Sequence, residues 1–273
     1  MNSFPLCHLF VPANKLDLIQ KAENSEADGL IIDLEDSVPE DDKKATREIL
    51  FDYLFSKELS KPFCIRINSL TTSNGKKDIN TFKNSFKNFN GLIIPKIEDP
   101  AELTLLSKDI KAILLIETPI ALENLSLLAQ DKRIVGLALG GADLSAELGS
   151  DMSWDSLLMA RSMIVMQASK YGLLTIDSPF MQLNDERLLA EESRKAKSMG
   201  FNSKFAIHPN QAKTIKERFL PTEEELKEAK KIIEAYSNTR GGAISVDGKM
   251  VDEPIVRLMK KRLWLSGTDL ESK

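Results

Sequence analysis

Cysteine is nearly absent: the 273 residues hold two, Cys7 and Cys64, each in or beside an apolar run and in no CxxC or paired framework. That excludes a disulfide-stapled fold and predicts reduced, core-packed thiols in a cytoplasm. Histidine is as scarce, also two, so a zinc site built from His and Cys ligands lacks its material. Neither sign of charge prevails. Lys and Arg number 37 against 41 Asp and Glu, a net charge of −4, which supplies no field for nucleic acid or an anionic membrane. No apolar stretch nears the roughly 18 residues of a membrane span. The start, MNSFPLCHLFVPAN, has no basic region ahead of a proper apolar segment, so a cytoplasmic, unprocessed chain is expected. There is no repeat beyond an alternation of strand and helix, and no low-complexity tract.

What the chain does have is eight short apolar runs: HLFVPA (8–13), GLIIDLED (29–36), FCIRIN (63–68), GLIIPKIE (91–98), AILLIET (112–118), VGLALGGAD (135–143), LLTIDSPF (173–180) and KFAIHPN (204–210). Four or five apolar residues in succession, without alternation, mark strands buried on both faces, as in a parallel sheet. Helix-length segments lie between them at 14–28, 39–60, 77–89, 99–110, 119–131, 151–171 and 185–199. The second opens at Pro39 with Glu40, Asp41 and Asp42 in a first turn where the helix dipole favours acids, and spaces Ala45, Ile49 and Leu50 on one face. The count predicts an α/β fold, a (β/α)8 TIM barrel, although an open doubly wound sheet gives similar local signals.

The barrel is assigned residues 1–220 and a C-terminal helical extension 221–273. In the extension Thr222 and Glu225 form a capping box, with Leu226, Ala229, Ile233 and Tyr236 on one face. Gly241 and Gly242 interrupt, VDGK forms a tight turn, and Pro254 to Leu265 form a helix. Its Ile255, Val256, Leu258, Met259, Leu263, Trp264 and Leu265 need cover.

Barrel enzymes place their chemistry at the carboxyl ends of the strands, so the polar residues closing each run are the candidates. They are Asp33, Glu35 and Asp36 in the second run, Arg66 and Asn68 in the third, Lys96 and Glu98 in the fourth, Glu117 in the fifth, Asp143 in the sixth, Asp177 in the seventh and His208 in the eighth. Neighbouring strands lie about 4.8 Å apart, so Glu117 and Asp143 can share one ion. Two carboxylates with water and substrate completing the shell suit Mg²⁺. Helix capping or pairing with Lys is the plain alternative. Arg66, always charged and set in an apolar strand, needs an anion: a substrate carboxylate, or a structural pair with Asp33 or Glu35. The acids Asp33, Glu35 and Asp36 are expected behind the metal, orienting its waters or holding Arg66. Gly140 and Gly141 permit close backbone approach to a ligand, or form an ordinary turn; no dinucleotide or P-loop fingerprint follows. Lys96 beside Glu98 argues against a lowered pKa and hence against a Schiff base. His208, extended before Pro209, reads as a structural histidine.

Taken in order, LFVPAN, LIIDLEDSVPEDDKKATRE, IRIN, LIIPKIED, LIET, GGADL, IDSPF, GFNSKFAIHPNQ and GKMVDEPIVR resemble the HpcH/HpaI aldolase superfamily, in its citrate lyase β-subunit-like branch with malyl-CoA and citramalyl-CoA lyases. The resemblance implies a barrel that assembles as a homo-oligomer, a trimer or hexamer. It implies Mg²⁺-dependent cleavage or formation of a 3-hydroxyacyl-CoA thioester, with acyl-CoA and 2-keto acids as its small-molecule partners. By motif, Glu117 and Asp143 would be the metal ligands, and Arg66 would grip the keto-acid end. Gly140, Gly141 and Ala142 would line the substrate, with Asp33, Glu35 and Asp36 behind them. Asp252 of GKMVDEP would be the acid/base at the acyl carbon, often presented to a neighbouring subunit; without the resemblance it reads as a turn residue before Pro254. Relatives carry an Arg where Leu6 stands, a Gly at Ala13 and a Glu at Ala142, which touches the expected grip on the CoA phosphates. A citryl-cleaving β-subunit of a lyase complex, a malyl-CoA thioesterase and a non-catalytic acyl-CoA binding protein are the alternatives.

Overall fold

The computed structural model describes residues 4–83, 86–239 and 241–265, without the side chains of Trp264 and Leu265. Eight parallel strands close into a barrel in sequence order: β1 (Cys7–Pro12), β2 (Gly29–Asp33), β3 (Phe63–Arg66), β4 (Phe89–Ile94), β5 (Ala112–Ile116), β6 (Ile134–Leu139), β7 (Leu174–Asp177) and β8 (Ser203–Ala206). Closure comes from β1 pairing with β8, Cys7 opposite Lys204. The fold is therefore the (β/α)8 barrel, and the open sheet is excluded. Every residue of β2 and β5 is buried, which is why those segments read as unbroken apolar runs. The apolar runs extend past the ladder at their carboxyl ends. Glu35, Lys96, Glu117 and Asp143 all follow the last paired residue of their strands, while Asp33, Arg66 and Asp177 end theirs.

Helices α1 (Leu16–Glu23), α2 (Lys43–Ser56), α3 (Ser73–Phe82), α4 (Pro119–Glu123), α5 (Leu125–Ala129), α6 (Gly141–Leu148), α7 (Leu158–Tyr171), α8 (Glu186–Met199) and α9 (Pro209–Phe219) connect the strands or follow them. Side chains of Thr72, Thr118 and Asp185 cap α3, α4 and α8 by accepting backbone N–H groups at 3.0, 3.1 and 2.9 Å. Gly172 and Gly200, at φ of 67° and 108°, end α7 and α8 in the left-handed conformation.

Four expectations are corrected. Residues 99–110 form a 3₁₀ stretch (Pro100–Leu105) rather than an α-helix, and 119–131 split into two short helices at Asn124. The segment GADLSAEL is a helix, so Asp143 lies in a first helical turn and not in a strand end. In α2, Ile49 is 55 % exposed and Ala45 is exposed too. Its buried face is Thr46, Arg47, Leu50 and Leu54, because Arg47 is drawn inward by Asp78 and by Asn74 Oδ1 at 2.9 Å.

The chain divides into a barrel unit, Pro5–Lys216, and a second unit that takes in the residues from Glu217 onward. The second unit contains α10 (Glu223–Ser237), β9 (Ile244–Val246), β10 (Lys249–Val251) and α11 (Glu253–Leu265). The Thr222–Glu225 capping box is formed, with Glu225 N–H donating to Thr222 Oγ1 at 3.1 Å and Thr222 N–H to Glu225 Oε2 at 2.9 Å. Asp247 and Gly248 both take positive φ, 49° and 75°, as a two-residue hairpin turn requires. Ala229, Ile232, Val246, Val251, Val256, Met259 and Leu263 form this unit's own core; Leu258 stays 53 % exposed, and the side chains of Trp264 and Leu265 lie outside the described residues. Both cysteines are free and buried. Among the described residues no helix is long and apolar enough to cross a membrane.

Candidate active site

The last residues of β2 and β3, Asp33 and Arg66, are register partners, which brings an acid and a base side by side at the rim. The Arg66 guanidinium donates to Asp33 twice, Nε to Oδ1 at 2.7 Å and Nη2 to Oδ2 at 2.8 Å. Its Nη1 stands 3.1 Å from Asp36 and 3.3 Å from Glu35, and its plane lies over the Phe10 ring, 5.0 Å from the centroid. Burial pulls against charge on both partners. The bidentate pair outweighs it, so Asp33 is held below the usual carboxylate range and Arg66 is raised further. The acids Asp33, Glu35 and Asp36 are therefore the counterions of Arg66, one of the two partnerships open to it from sequence.

Glu117 follows β5 and is 1 % exposed. Its Oε1 accepts the backbone N–H of Lys96 at 2.8 Å, which Lys96 can offer because its backbone is left-handed, φ 49°. Burial, then the charges of Glu35 and Asp143, push the Glu117 carboxyl up to about 8. Glu35 is raised as well, again by burial first, although it takes an ion pair from Lys96 Nζ at 3.0 Å. Its Oε2 is buried without a hydrogen bond. The hydrogen bond and charge of Glu35 outweigh burial on Lys96 and keep it protonated, which leaves no free amine for a Schiff base.

Gly140 caps α6 immediately beside Glu117. A Cβ on Gly140 would stand 2.4 Å from Glu117 Cβ and 2.5 Å from its Oε2, so no other residue fits there without moving the carboxylate. At Gly141 an added Cβ would lie 3.1 Å from both Leu157 and Ser178. The glycines thus make room for Glu117 and for packing of α6, a reason that sequence spacing does not reveal. Ala142 is exposed at the cavity edge.

These residues border a cavity of about 350 Å³. Asp33, Asp36, Ser37, Arg66, Glu117 and residues 140–143 form its polar part, and Phe10, Leu115, Leu139, Pro179, Met181, Phe205 and Ile207 its apolar part. Glu117 and Asp143 also border a second cavity of about 400 Å³, with Ser69, Thr71, Thr72, Thr118, Lys96, Glu98, Glu102 and Glu147. Five carboxylates, from Asp33, Glu35, Asp36, Glu117 and Asp143, gather around two cations, Arg66 and Lys96. The donor set is all oxygen, and among the described residues no group of three or more His, Cys, Asp or Glu forms a complete metal cage. A hard divalent cation held by two carboxylates, with the remaining positions open, would fit this set and would offset its excess charge.

Other rim candidates have structural roles. Asp177 is fully buried and turned away from the cavity, bonded to Arg161 Nε at 2.8 Å and Lys204 Nζ at 2.7 Å. Lys204 also reaches Glu192 at 2.7 Å. His208 Nδ1 accepts the N–H of Asn210 at 3.2 Å, and Asn68 donates to Leu34 O at 3.1 Å and Asp78 at 2.7 Å. Asp252 belongs to the second unit, where its Oδ1 accepts the N–H of Ile255 at 3.3 Å at the start of α11. Sequence reading missed Phe10, Met181 and the Lys96 amide, none of which carries a motif.

A model of the HpcH/HpaI aldolase/citrate lyase family matches residues 6–209. The mitochondrial citramalyl-CoA lyase of Rattus norvegicus is 30 % identical over 277 residues, covering 91 % of this chain and 82 % of the relative. A (3S)-malyl-CoA thioesterase of Cereibacter sphaeroides is 30 % identical over 253 residues, 89 % of this chain and 88 % of that one. Among solved structures, protein CitE from Mycobacterium tuberculosis in complex with magnesium, acetoacetate and coenzyme A superposes with a TM-score of 0.81 at 29 % identity, covering 97 % of this chain and 99 % of that chain.

Proposed function

Because the chain belongs to the HpcH/HpaI aldolase/citrate lyase family, we propose that it is a Mg²⁺-dependent carbon–carbon lyase acting on a 3-hydroxyacyl-CoA thioester of the citramalyl-CoA or malyl-CoA type. The products are acetyl-CoA and a 2-keto acid, pyruvate or glyoxylate. The observation that carries this reading is the Glu117–Asp143 carboxylate pair, set in a cavity wall with more acid than base and opposite a fixed guanidinium. Relatives named for citramalyl-CoA cleavage, and a magnesium- and coenzyme A-bound neighbour, support it.

Glu117 and Asp143 would hold the Mg²⁺. When bound, the ion supplies Lewis-acid stabilisation of charge on substrate oxygens. Arg66, locked by Asp33, offers Nη1 to the substrate carboxylate in exchange for Asp36, and its fixed plane sets the orientation of the scissile bond. The apolar wall, to which Phe10, Leu139 and Phe205 and the loop residues Pro179, Met181 and Ile207 contribute, takes the alkyl group on the carbinol carbon and excludes water. As the carbinol hydroxyl gives its proton to solvent, the bond between that carbon and the acyl α-carbon breaks; the electron pair moves into the thioester enolate, and the keto acid departs. Asp252 is assigned the proton that returns to the α-carbon to complete acetyl-CoA. In the condensing direction Asp252 removes it. Delivery of Asp252 to a neighbouring subunit's site makes a homo-oligomer, a trimer or hexamer, the assembly that belongs to this reading. The two buried, free thiols fit a reducing cytoplasm.

The malyl-CoA thioesterase relative, as similar as the lyase, favours one second reading, in which the thioester is hydrolysed to a free acid and coenzyme A in place of carbon–carbon cleavage. Intact protein incubated with citramalyl-CoA and malyl-CoA, in Mg²⁺ or EDTA, separates the two. Keto acid and acetyl-CoA in Mg²⁺ alone is the expected result, and free thiol alone, without keto acid, gives the thioesterase. Silence with both thioesters rejects both and leaves a binding protein or a lyase-complex subunit.

A further inference from the structure

Two loops close the apolar end of the substrate cavity. Residues 178–182 after β7 contribute Pro179 and Met181, and residues 207–208 after β8 contribute Ile207. Behind the first loop lies another cavity, of about 320 Å³, bordered by residues 178–182, residues 151–153 and Glu192. The loop is a thin partition with space on both sides, so its position depends on what holds its backbone. Ser178 is held at its carbonyl by Lys204 Nζ at 2.7 Å and at its hydroxyl by Arg161 Nη2 at 3.2 Å. Two residues on, the Phe180 carbonyl accepts from Gln211 Nε2 at 2.7 Å.

Gln211 lies in the first turn of α9 and is 3 % exposed. Its Oε1 accepts the backbone N–H groups of Ile207 at 2.9 Å and His208 at 3.3 Å. One buried amide therefore joins both loops, and it does so with the pairing only an amide offers, an acceptor toward one loop and a donor toward the other. We propose that Gln211 is a positioning residue that sets the width of the apolar end of the cavity, and so selects the side group of the 2-keto acid fragment. The proposal rests on the reading of this cavity as the keto-acid site. With the strap intact, Pro179, Met181 and Ile207 hold a close wall against a small group. With the strap cut, the partition yields toward the cavity behind it, so a larger group gains and a small one loses its packing.

Two variants test this. Gln211→Glu keeps the acceptor for Ile207 and His208 but sets a carboxylate oxygen against the Phe180 carbonyl, and Gln211→Met keeps the volume and removes all three bonds. Glyoxylate, pyruvate and 2-oxobutyrate are titrated calorimetrically onto the intact protein in Mg²⁺, and turnover of malyl-CoA and citramalyl-CoA is followed in parallel. The preference for pyruvate over 2-oxobutyrate is expected to fall about tenfold in both variants, the scale of one methylene in an apolar pocket. KM for citramalyl-CoA rises while kcat changes by less than about twofold. A folded Gln211→Glu protein that melts lower but keeps the wild-type affinity ratio overturns the proposal, and failure of both variants to fold does so too. Wild-type protein that binds keto acids but cleaves neither thioester sinks the lyase reading alone, with the affinity ratio still deciding on Gln211. Wild-type protein that binds none of the three acids removes both.

Discussion

Two charged clusters stand against the barrel, one around the carboxyl ends of β2 to β6 and one where β7 pairs with β8, and they are built on opposite plans. In the second, Asp177, Arg161, Lys204 and Glu192 are two acids and two bases within 2.7 to 2.8 Å along Arg161–Asp177–Lys204–Glu192. Asp177 and Lys204 are completely buried, and Arg161 is 1 % exposed. The first has five carboxylates to two cations and borders open space. Burial penalises charge in both. The balanced cluster answers that penalty internally, which leaves Asp177 depressed despite burial, whereas the rim does not, and Glu117 is driven up to about 8. Unanswered charge beside a cavity, rather than buried charge as such, is what separates a site from a scaffold.

Glu117→Gln breaks that comparison most severely. Turnover of the thioester is expected to fall by about a thousandfold or more if Glu117 holds the charge-stabilising ion as proposed. A kcat in saturating Mg²⁺ that matches wild type would place the rim beside the balanced cluster as mere structure. The counterpart is Lys204→Met, which strands Asp177 without its lysine. Urea unfolding is expected to show a loss of about 3 to 5 kcal/mol, as when one member of a buried pair is removed. A loss under about 1 kcal/mol would mean that Arg161 alone satisfies Asp177.

The barrel was legible because strands covered on both faces must be apolar throughout, and the eight runs are where the eight strands are. Their polar ends were legible as candidates, but not which way each faces. Asp33 and Asp177 both end a strand; the first meets Arg66 at the rim, and the second meets partners 16 and 27 residues away in sequence. Side-chain direction alternates along a strand, and a one-residue difference in where the ladder ends reverses it. Helix α6 was illegible for a similar reason. Two glycines argue for a turn, and the crowding of Gly140 against the Glu117 carboxylate and of Gly141 against Leu157 and Ser178 explains why both stand at the head of a helix.

The two clusters also titrate in different windows. Glu117, raised from 4.5 to about 8, contributes stability that is present below its unfolded value and lost as pH rises toward 8. Asp177, depressed below 3.8, contributes stability present above that value and lost only in stronger acid. Between pH 6.5 and pH 8, above the range in which buried His8, depressed by burial, adds its own pH dependence, the rim alone should act. In EDTA the melting temperature is expected to drop by about 5 °C across that interval, and Mg²⁺ should remove the drop. A flat EDTA profile would mean that the rim carboxylates are already neutralised within the protein.

The smallest effect comes from making the same substitution at the other lysine. Lys96 Nζ pairs with Glu35 at 3.0 Å, but its side chain is 43 % exposed, so solvent screens the pair. The Lys96 bond that matters to Glu117 comes from its backbone amide and survives any side-chain change. Lys96→Met should therefore cost no more than about 1 kcal/mol in urea unfolding, several-fold less than Lys204→Met. Removing one of two cations from the rim should also tighten Mg²⁺ binding by about threefold, read by calorimetry at low salt. If Lys96→Met destabilises as much as Lys204→Met, the rim is a closed ion network like its counterpart. If Mg²⁺ binding weakens instead, the ion is not answering the rim's excess of acid, and the charge argument for the Glu117–Asp143 clamp fails.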